Sequence, residues 1–415
     1  MPAILRWVFS DHGGRTIVAH RRYGGGLRLV KEVATAKARV WVKIFRLILL
    51  ALLIALITLT YLLFKPIPTT IEPISPRAST QYWDMNGGYK VAYTRVEGEA
   101  GEGVEKPPVI FLHGGPGGYI HSSVIDVLNP LAARGHDIYL YDQSGTGLSD
   151  RRANPNDTTI SMHLSDLKEI TDRIGAKSYI LVGHSFGGYL ATLFAVDNAA
   201  LVDGLILSAP AAIEPQLFDS DGNWENLAAY SHLNSHQFID DAERYVDDTS
   251  GASMPLRAKA SLVLAQLFNI KLAPDSEVDA ALNTMASTFT RSMVCDEANR
   301  LPEEGGGGAY MRMGTNFFPD HLDGVRSRMT KATFPVLVLQ GQCDFIPFEA
   351  AYEYVDLFPN SRYQYLEGAG HIIYWDKPDA YLAAITEFIS DDPKQQASVA
   401  QPTLTRTETD GRITN

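Results

Sequence analysis

Cysteine is scarce in this 415-residue chain: there are two, Cys295 and Cys343. Two are too few for a disulfide framework, and their spacing fits no zinc motif. They could pair in an oxidising compartment, but sequence alone cannot bring their Cα atoms within bonding distance. Basic residues are also scarce outside the N-terminus. Ten of the 36 Lys and Arg, and two of the 48 Asp and Glu, fall within residues 1–46, which leaves 26 basic against 46 acidic residues in the remainder. An acidic body of that kind lacks the basic footprint of a nucleic-acid-binding protein. His12, His20 and the nearby glycines have no metal-ligand or phosphate-loop spacing, so the sequence points to no metal and no cofactor.

What is present begins with a long apolar run, Ile44 to Phe64, whose one charge, Arg46, is near its start. It is about the length needed to cross a hydrocarbon core. No small-x-small cleavage site follows it, which favours an uncleaved signal anchor over a cleaved signal peptide. The basic tail, residues 1–43, reads as irregular and cytosolic, and the acidic body as lying outside the cytosol, periplasmic or extracellular. Residues 65–80 hold four prolines and read as a semi-rigid spacer.

From Gln81 the pattern becomes that of a folded domain. Aromatic and β-branched residues flank Asn86-Gly87-Gly88, which predicts a hairpin. Short apolar strands then alternate with helical spacing: PVIFL, DIYLY, SYILV and GLILS, and after a gap PVLVL. That alternation predicts an α/β fold with a mostly parallel sheet covered by helices on both faces. The core is expected over residues 81–211 and 333–390. Residues 212–332 are expected to form a helical cap, including a helical segment over 231–246. Residues 391–415 are polar and expected to be disordered.

Three Gly-rich loops follow the early strands: HGGPGG from His113, DQSGTG from Asp142 and GHSFGG from Gly183. In such sheets sites form outside the carboxyl ends of the strands. Gly183-His184-Ser185-Phe186-Gly187 is a G-x-S-x-G pattern set between a strand and a helix, the context that lifts a serine hydroxyl above the sheet. A serine needs a base to take its proton and a third group to hold that base. His371 in GAGH and Asp344 in QGQCD follow later strands, in the order Ser, Asp, His that this architecture uses. Glu214 is the alternative acid. An oxyanion would be met by the backbone N–H groups of Phe186 and Gly115. His113 is expected to pin its own loop, His184 to point away into packing, and His121 to be a solvated loop residue.

Together these segments resemble the α/β-hydrolase superfamily over about Gln81 to Ile389. Within it, HGGPGG and DQSGTGLSD are similar to the HGGPG and DQRGxGxS of the prolyl aminopeptidase (proline iminopeptidase) family. That resemblance implies release of N-terminal residues, often proline, from short peptides through an acyl-enzyme on Ser185. It further implies cap glutamates for the substrate amine; Glu297, Glu303 and Glu304 lie in a suitable part of the cap, and each otherwise reads as a solvated surface carboxylate. The chain departs from the family at GHSFG, where GGSWG is usual, at Gln143-Ser144-Gly145, which lacks the usual Arg, and at GQCD, where GRYD is usual. An esterase or amide hydrolase acting on small acyl substrates is the alternative. A membrane-tethered binding protein that has lost activity is disfavoured by the complete set of Ser, Asp and His.

Overall fold

A computed structural model describes residues 6–10, 16–20, 25–99, 106–213, 254–314, 324–346 and 348–390. Glu214, the 231–246 segment and residues 391–415 lie outside the described residues. The chain divides into two compact units, Met1–Lys65 and Pro66–Asn415.

The first unit holds strands β1 (Arg6–Ser10) and β2 (Thr16–His20), paired antiparallel, and one helix, α1, Gly25–Phe64. The N-terminal tail is therefore not irregular, and the helix starts well before Ile44. From Leu27 the sequence supplies Leu, Lys, Glu, Ala and Arg without a proline, all good helix formers, so nothing stops the helix from extending backward. Arg39–Phe64 is long and apolar enough to cross a membrane, and its most apolar 18-residue stretch has a mean hydropathy of 2.9.

The second unit is built on an eight-stranded sheet. Its strands are β3 (Thr80–Asp84), β4 (Lys90–Val96), β5 (Val109–Leu112), β6 (Ile138–Tyr141), β7 (Tyr179–His184), β8 (Val202–Ser208), β9 (Val336–Cys343) and β10 (Ser361–Gly370). The order across the sheet is β10-β9-β8-β7-β5-β6-β4-β3. The hairpin β3–β4 is antiparallel and joins β6 antiparallel; all pairs from β6 through β10 are parallel. The chain places β6 on one side of β5 and then crosses to place β7 on the other. This reversal opens a crevice at the carboxyl ends of β5 and β7.

The central strands carry near-continuous apolar runs because both faces are covered. Ile110, Leu112, Leu181, Leu205, Leu207, Val336 and Val338 face one hydrophobic cluster. Their alternating neighbours Val109, Phe111, Ile180, Val182, Ile206, Leu337 and Leu339 face a second. Period-2 alternation within a continuous apolar run assigns each side chain to one of the two helical layers. Helices α2 (Ser122–Leu128), α3 (Ile160–Ile174) and α4 (Phe186–Asp197) follow the early strands. α4 is buried from Phe186 through Ala195, since it lies directly on the sheet.

Between β8 and β9 lies a helical insertion with its own core. Its described helices are α5 (Leu256–Phe268), α6 (Asp275–Phe289), α7 (Ala309–Gly314) and α8 (Val325–Met329). Ala258, Leu262, Ala265, Val278, Ala281 and Tyr310 pack there with Ile67. The Pro-rich stretch is thus not a spacer standing clear of the body. Ile67 is buried, its N–H donates to Glu277, and Ile74 N–H donates to Gly305 O. Helices α9 (Phe348–Leu357), α10 (Ile373–Asp376) and α11 (Pro378–Ser390) complete the core.

Leu181 is fully buried in β7 at the centre of the sheet. Leu181→Ala is expected to lower the unfolding free energy by about 2–5 kcal/mol. A chemical-denaturation midpoint equal to that of the parent chain would contradict this placement.

Candidate active site at the strand ends

The site begins with a backbone conformation. Ser185 has φ 53° and ψ −120°, a region that a side-chain-bearing residue adopts only when its surroundings enforce it. The surroundings here are specific. Ser185 N–H donates to Ser208 O at 2.9 Å, and Ser185 O accepts from Gly188 at 2.9 Å and from Ala211 at 3.1 Å. The flanking glycines let the chain pass close to itself. A Cβ on Gly187 would meet Leu112 O at 2.1 Å, and one on Gly183 would meet Gly187 O at 2.5 Å. Helix α4 starts at the next residue, so its N-terminal amides and dipole are directed at the serine.

The loop after β5 lies against this turn. A Cβ on Gly114 would touch the Ser185 Cβ and the His184 ring, each at 3.0 Å. Gly115 has φ 139°, and the Gly115–Pro116 peptide is cis. His113 does pin the loop. Its Nδ1–H donates to Gly114 O at 2.8 Å, and its Nε2 accepts from Gln143 N–H at 2.9 Å. The Gln143 side chain returns a bond to His113 O at 2.8 Å. This ring must be neutral to accept at Nε2, and burial holds its pKa down at about 4.

Asp344 is the residue after β9, and His371 the residue after β10. The pairing of Cys343 with Gly370 puts them side by side. His371 Nδ1–H donates to Asp344 Oδ1 at 2.8 Å, with the two side chains 3% and 1% exposed. Asp344 Oδ1 also accepts from Ile346 N–H at 2.9 Å. The His371 ring lies 4.9 Å from that of His184, the residue before Ser185, and 4.4 Å from that of Phe345. With Nδ1 committed to the carboxylate, Nε2 is the basic nitrogen that remains on this ring. His184 turns into packing, edge-on to Tyr374, and burial drives its pKa well down.

Sequence reasoning missed a clamp on this pair. The insertion returns to the strand ends at Met293–Asn299. Asp376 there accepts from Gly370 N–H at 2.7 Å, Cys295 N–H at 2.8 Å and the Asn299 amide at 2.9 Å. Ile372 N–H donates to Met293 O at 2.9 Å. Cys295 is bonded to Cys343, the neighbour of Asp344, with their Cα atoms 5.2 Å apart. The residues before and after His371, and the residue before Asp344, are therefore all tied to one segment of the insertion. No spacing signal marks Asp376, because its partners in the insertion are 77 to 81 positions away.

The three glutamates separate. Glu297 is exposed and pairs with Arg291 at 3.3 Å, as a surface carboxylate would. Glu303 and Glu304 are not solvated surface groups. Glu304 pairs with Arg77 at 2.8 Å and accepts from Ser122 N–H at 3.1 Å. Glu303 accepts a hydrogen bond from the Tyr119 hydroxyl, and burial raises its pKa above the ordinary carboxylate value. Both lie against the loop that continues from HGGPGG. His121 is likewise buried rather than solvated. It caps α2 by accepting from Ser123 N–H, lies 3.1 Å from Pro302 O, and packs edge-on against Trp375. Among the described residues, no three His, Cys, Asp or Glu side chains are grouped to hold a metal ion.

With this geometry in view, comparison with known proteins is informative. Residues 107–378 match the family described as alpha/beta hydrolase fold. A proline iminopeptidase of Heyndrickxia coagulans is 28% identical over 315 residues, covering 74% of this chain and 97% of that protein. One of Lactobacillus helveticus is 27% identical over 312 residues, covering 73% and 95%. The solved structure of an alpha/beta fold family hydrolase from Bacillus anthracis superposes with a TM-score of 0.50 at 18% identity, covering 74% and 98%; it speaks to the fold alone.

Two buried histidines, His113 in the loop after β5 and His163 in α3, have a testable charge state. Burial lowers His113 to about 4 and His163 to about 3 from an ordinary 6.5. Unfolded, both would take a proton near 6.5, so their contribution to stability is intact above that pH and is lost as pH falls toward about 4. Asp142 and Asp166 act in the opposite sense, since burial raises both from 3.8 to about 6 and the folded chain takes up their protons first. Bulk stability therefore mixes the two effects, and a residue-resolved histidine NMR titration is the clean readout. His113 and His163 should stay neutral between pH about 7 and about 5, where exposed imidazoles protonate. A midpoint near the ordinary value would contradict the neutral, loop-pinning role of His113, or the burial of His163 in α3.

Proposed function

We propose, for a chain that belongs to the alpha/beta hydrolase fold family, a serine hydrolase in which Ser185 is the nucleophile, His371 the general base and Asp344 the group that orients it. The observation that carries this is the buried 2.8 Å contact between His371 Nδ1 and Asp344 Oδ1 at the strand ends, beside the enforced turn at Ser185. In this reading His371 Nε2 takes the proton of the Ser185 hydroxyl as Oγ attacks the substrate carbonyl carbon. Negative charge develops on the carbonyl oxygen and is met by the Phe186 and Gly115 backbone N–H groups. The leaving group departs with the proton from His371. Water, activated by the same imidazole, then releases the acyl group from Ser185.

The substrate class we infer is short peptides with a free N-terminus, cleaved after the first residue and with proline as the type case. Support comes from HGGPGG and DQSGTG and from the relatives named proline iminopeptidase. Glu303 is the better candidate of the cap carboxylates to receive the substrate amine, since Glu304 is already paired with Arg77 and Ser122. That same pairing favours the second reading, an esterase or amide hydrolase on small acyl groups, because it removes one of the carboxylates an amine would need.

The enzyme is read as anchored by Arg39–Phe64, with its basic N-terminal tail in the cytosol and its catalytic body outside. The Cys295–Cys343 bond agrees with that side, because disulfides persist in oxidising compartments.

A fluorophosphonate probe is expected to label the parent chain and not Ser185→Ala; absence of labelling in both would overturn the mechanism. Hydrolysis of prolyl and other aminoacyl amides should fall by roughly 100-fold or more when the substrate amine is acetylated, the size of a lost charge-assisted contact. Equal rates with and without the amine would replace the aminopeptidase reading with the acyl-hydrolase one.

A further inference from the structure

The cap helix α5 is apolar on two opposite faces, and the described residues cover only one. Ala258, Ser261, Leu262 and Ala265 are buried in the insertion's core. On the other side Leu256, Val263 and Leu267 follow one another at helical spacing and are 43%, 50% and 65% exposed, with Phe268 beside them at 63% and Ile270, just past the helix end, at 53%. A helix that is apolar all round is normally enclosed, and a contiguous exposed patch of large apolar side chains marks an interaction surface.

Chain connectivity limits what can meet this patch. The apolar run ends at Phe64, and Ile67 is already buried against Ala258, Leu262 and Ala265 of α5. Three residues of extended chain reach no more than about 11 Å. The attachment is held by more than packing: Ile67 N–H donates to Glu277 at 3.2 Å, and Glu277 pairs with Arg257 of α5 at 2.8 Å. The covered face of α5 is therefore tied to the point where the chain would leave a bilayer. Lys259 and Gln266 are exposed among the apolar residues, an arrangement suited to phosphate headgroups above acyl chains.

We propose that α5 is a second membrane contact. Its outer face, Leu256, Val263, Leu267 and Phe268, with Ile270 just past its end, inserts into the boundary between headgroups and acyl chains of the bilayer that α1 spans. The occupant is a phospholipid surface. The proposal rests on the reading of Arg39–Phe64 as a membrane span. It places the insertion next to the lipid.

The test uses the full chain in phosphatidylcholine–phosphatidylglycerol nanodiscs, prepared without reductant so that Cys295 and Cys343 stay joined. Leu267→Cys, Leu56→Cys and Asp172→Cys each carry an environment-sensitive fluorophore. Emission is compared with and without a doxyl-labelled phospholipid. The label at 267 should be quenched by at least about half as much as the label at 56, as befits a shallow insertion, and the label at 172 on the exposed side of α3 should not be quenched. Quenching at 56 without quenching at 267 overturns the proposal and leaves the span intact. A label at 267 with blue-shifted emission but no lipid quenching assigns the face to protein cover, from this chain or a second copy, and also overturns it. No quenching at 56 removes the span and the proposal together.

Discussion

The rest of the site depends on the backbone of Ser185. A side-chain-bearing residue at φ 53° and ψ −120° persists only if the neighbouring chain leaves no other path. Three hydrogen bonds fix it from β8 and its following loop and from α4, and the absent side chains of Gly183 and Gly187 allow β5 and α4 to close in. The turn therefore cannot be considered apart from the sheet. Its geometry requires β5 on one side and β8 on the other, and the strand order supplies both. The alternating apolar positions of β5, β7 and β8 that fill the two cores also hold this turn in place.

The second half of the site is secured differently. Asp344 and His371 sit at the ends of β9 and β10, toward the edge of the sheet, where there is less surrounding structure to hold them. The insertion supplies it. Asp376 gathers donors from the strand end and from the returning segment, and the Cys295–Cys343 bond ties that segment to the residue before Asp344. The insertion thus braces the strand ends that carry Asp344 and His371.

Much of this was legible in the sequence because it is local. A strand buried on both faces must be a continuous apolar run, and a turn that brings two backbones within contact must have glycine at the points of contact. Hence the strands, Ser185 and its loop partners could be read directly. Asp344 and His371 were legible through strand order, since each simply follows a strand. What could not be read is the pairing across distance. Arg77 with Glu304 joins positions 227 apart, and nothing in either segment marks the other. The same is true of Asp376 and of the docking of Ile67, which turned an expected spacer into part of the cap. The start of α1 at Gly25 was missed for another reason: apolar periodicity was the signal sought, and helix propensity alone carries residues 25–43.

The departure of the GHSFG turn from the proline iminopeptidase pattern can now be weighed physically. The His184 ring packs against Tyr374 and His371, and Phe186 is 1% exposed, packed against His163 and Tyr189. Both variable positions of the turn thus face packing within the body. A Trp, Phe or His at such a position answers to the volume around it and does not by itself report the substrate. In the proposed reading, the residues that would discriminate a peptide amine from a plain acyl group are Glu303 and Glu304, beside the loop that continues from HGGPGG. Glu304 is neutralised by Arg77, a residue of the segment that follows the apolar helix. In this chain the segment that follows the helix therefore contributes a charge partner to the insertion.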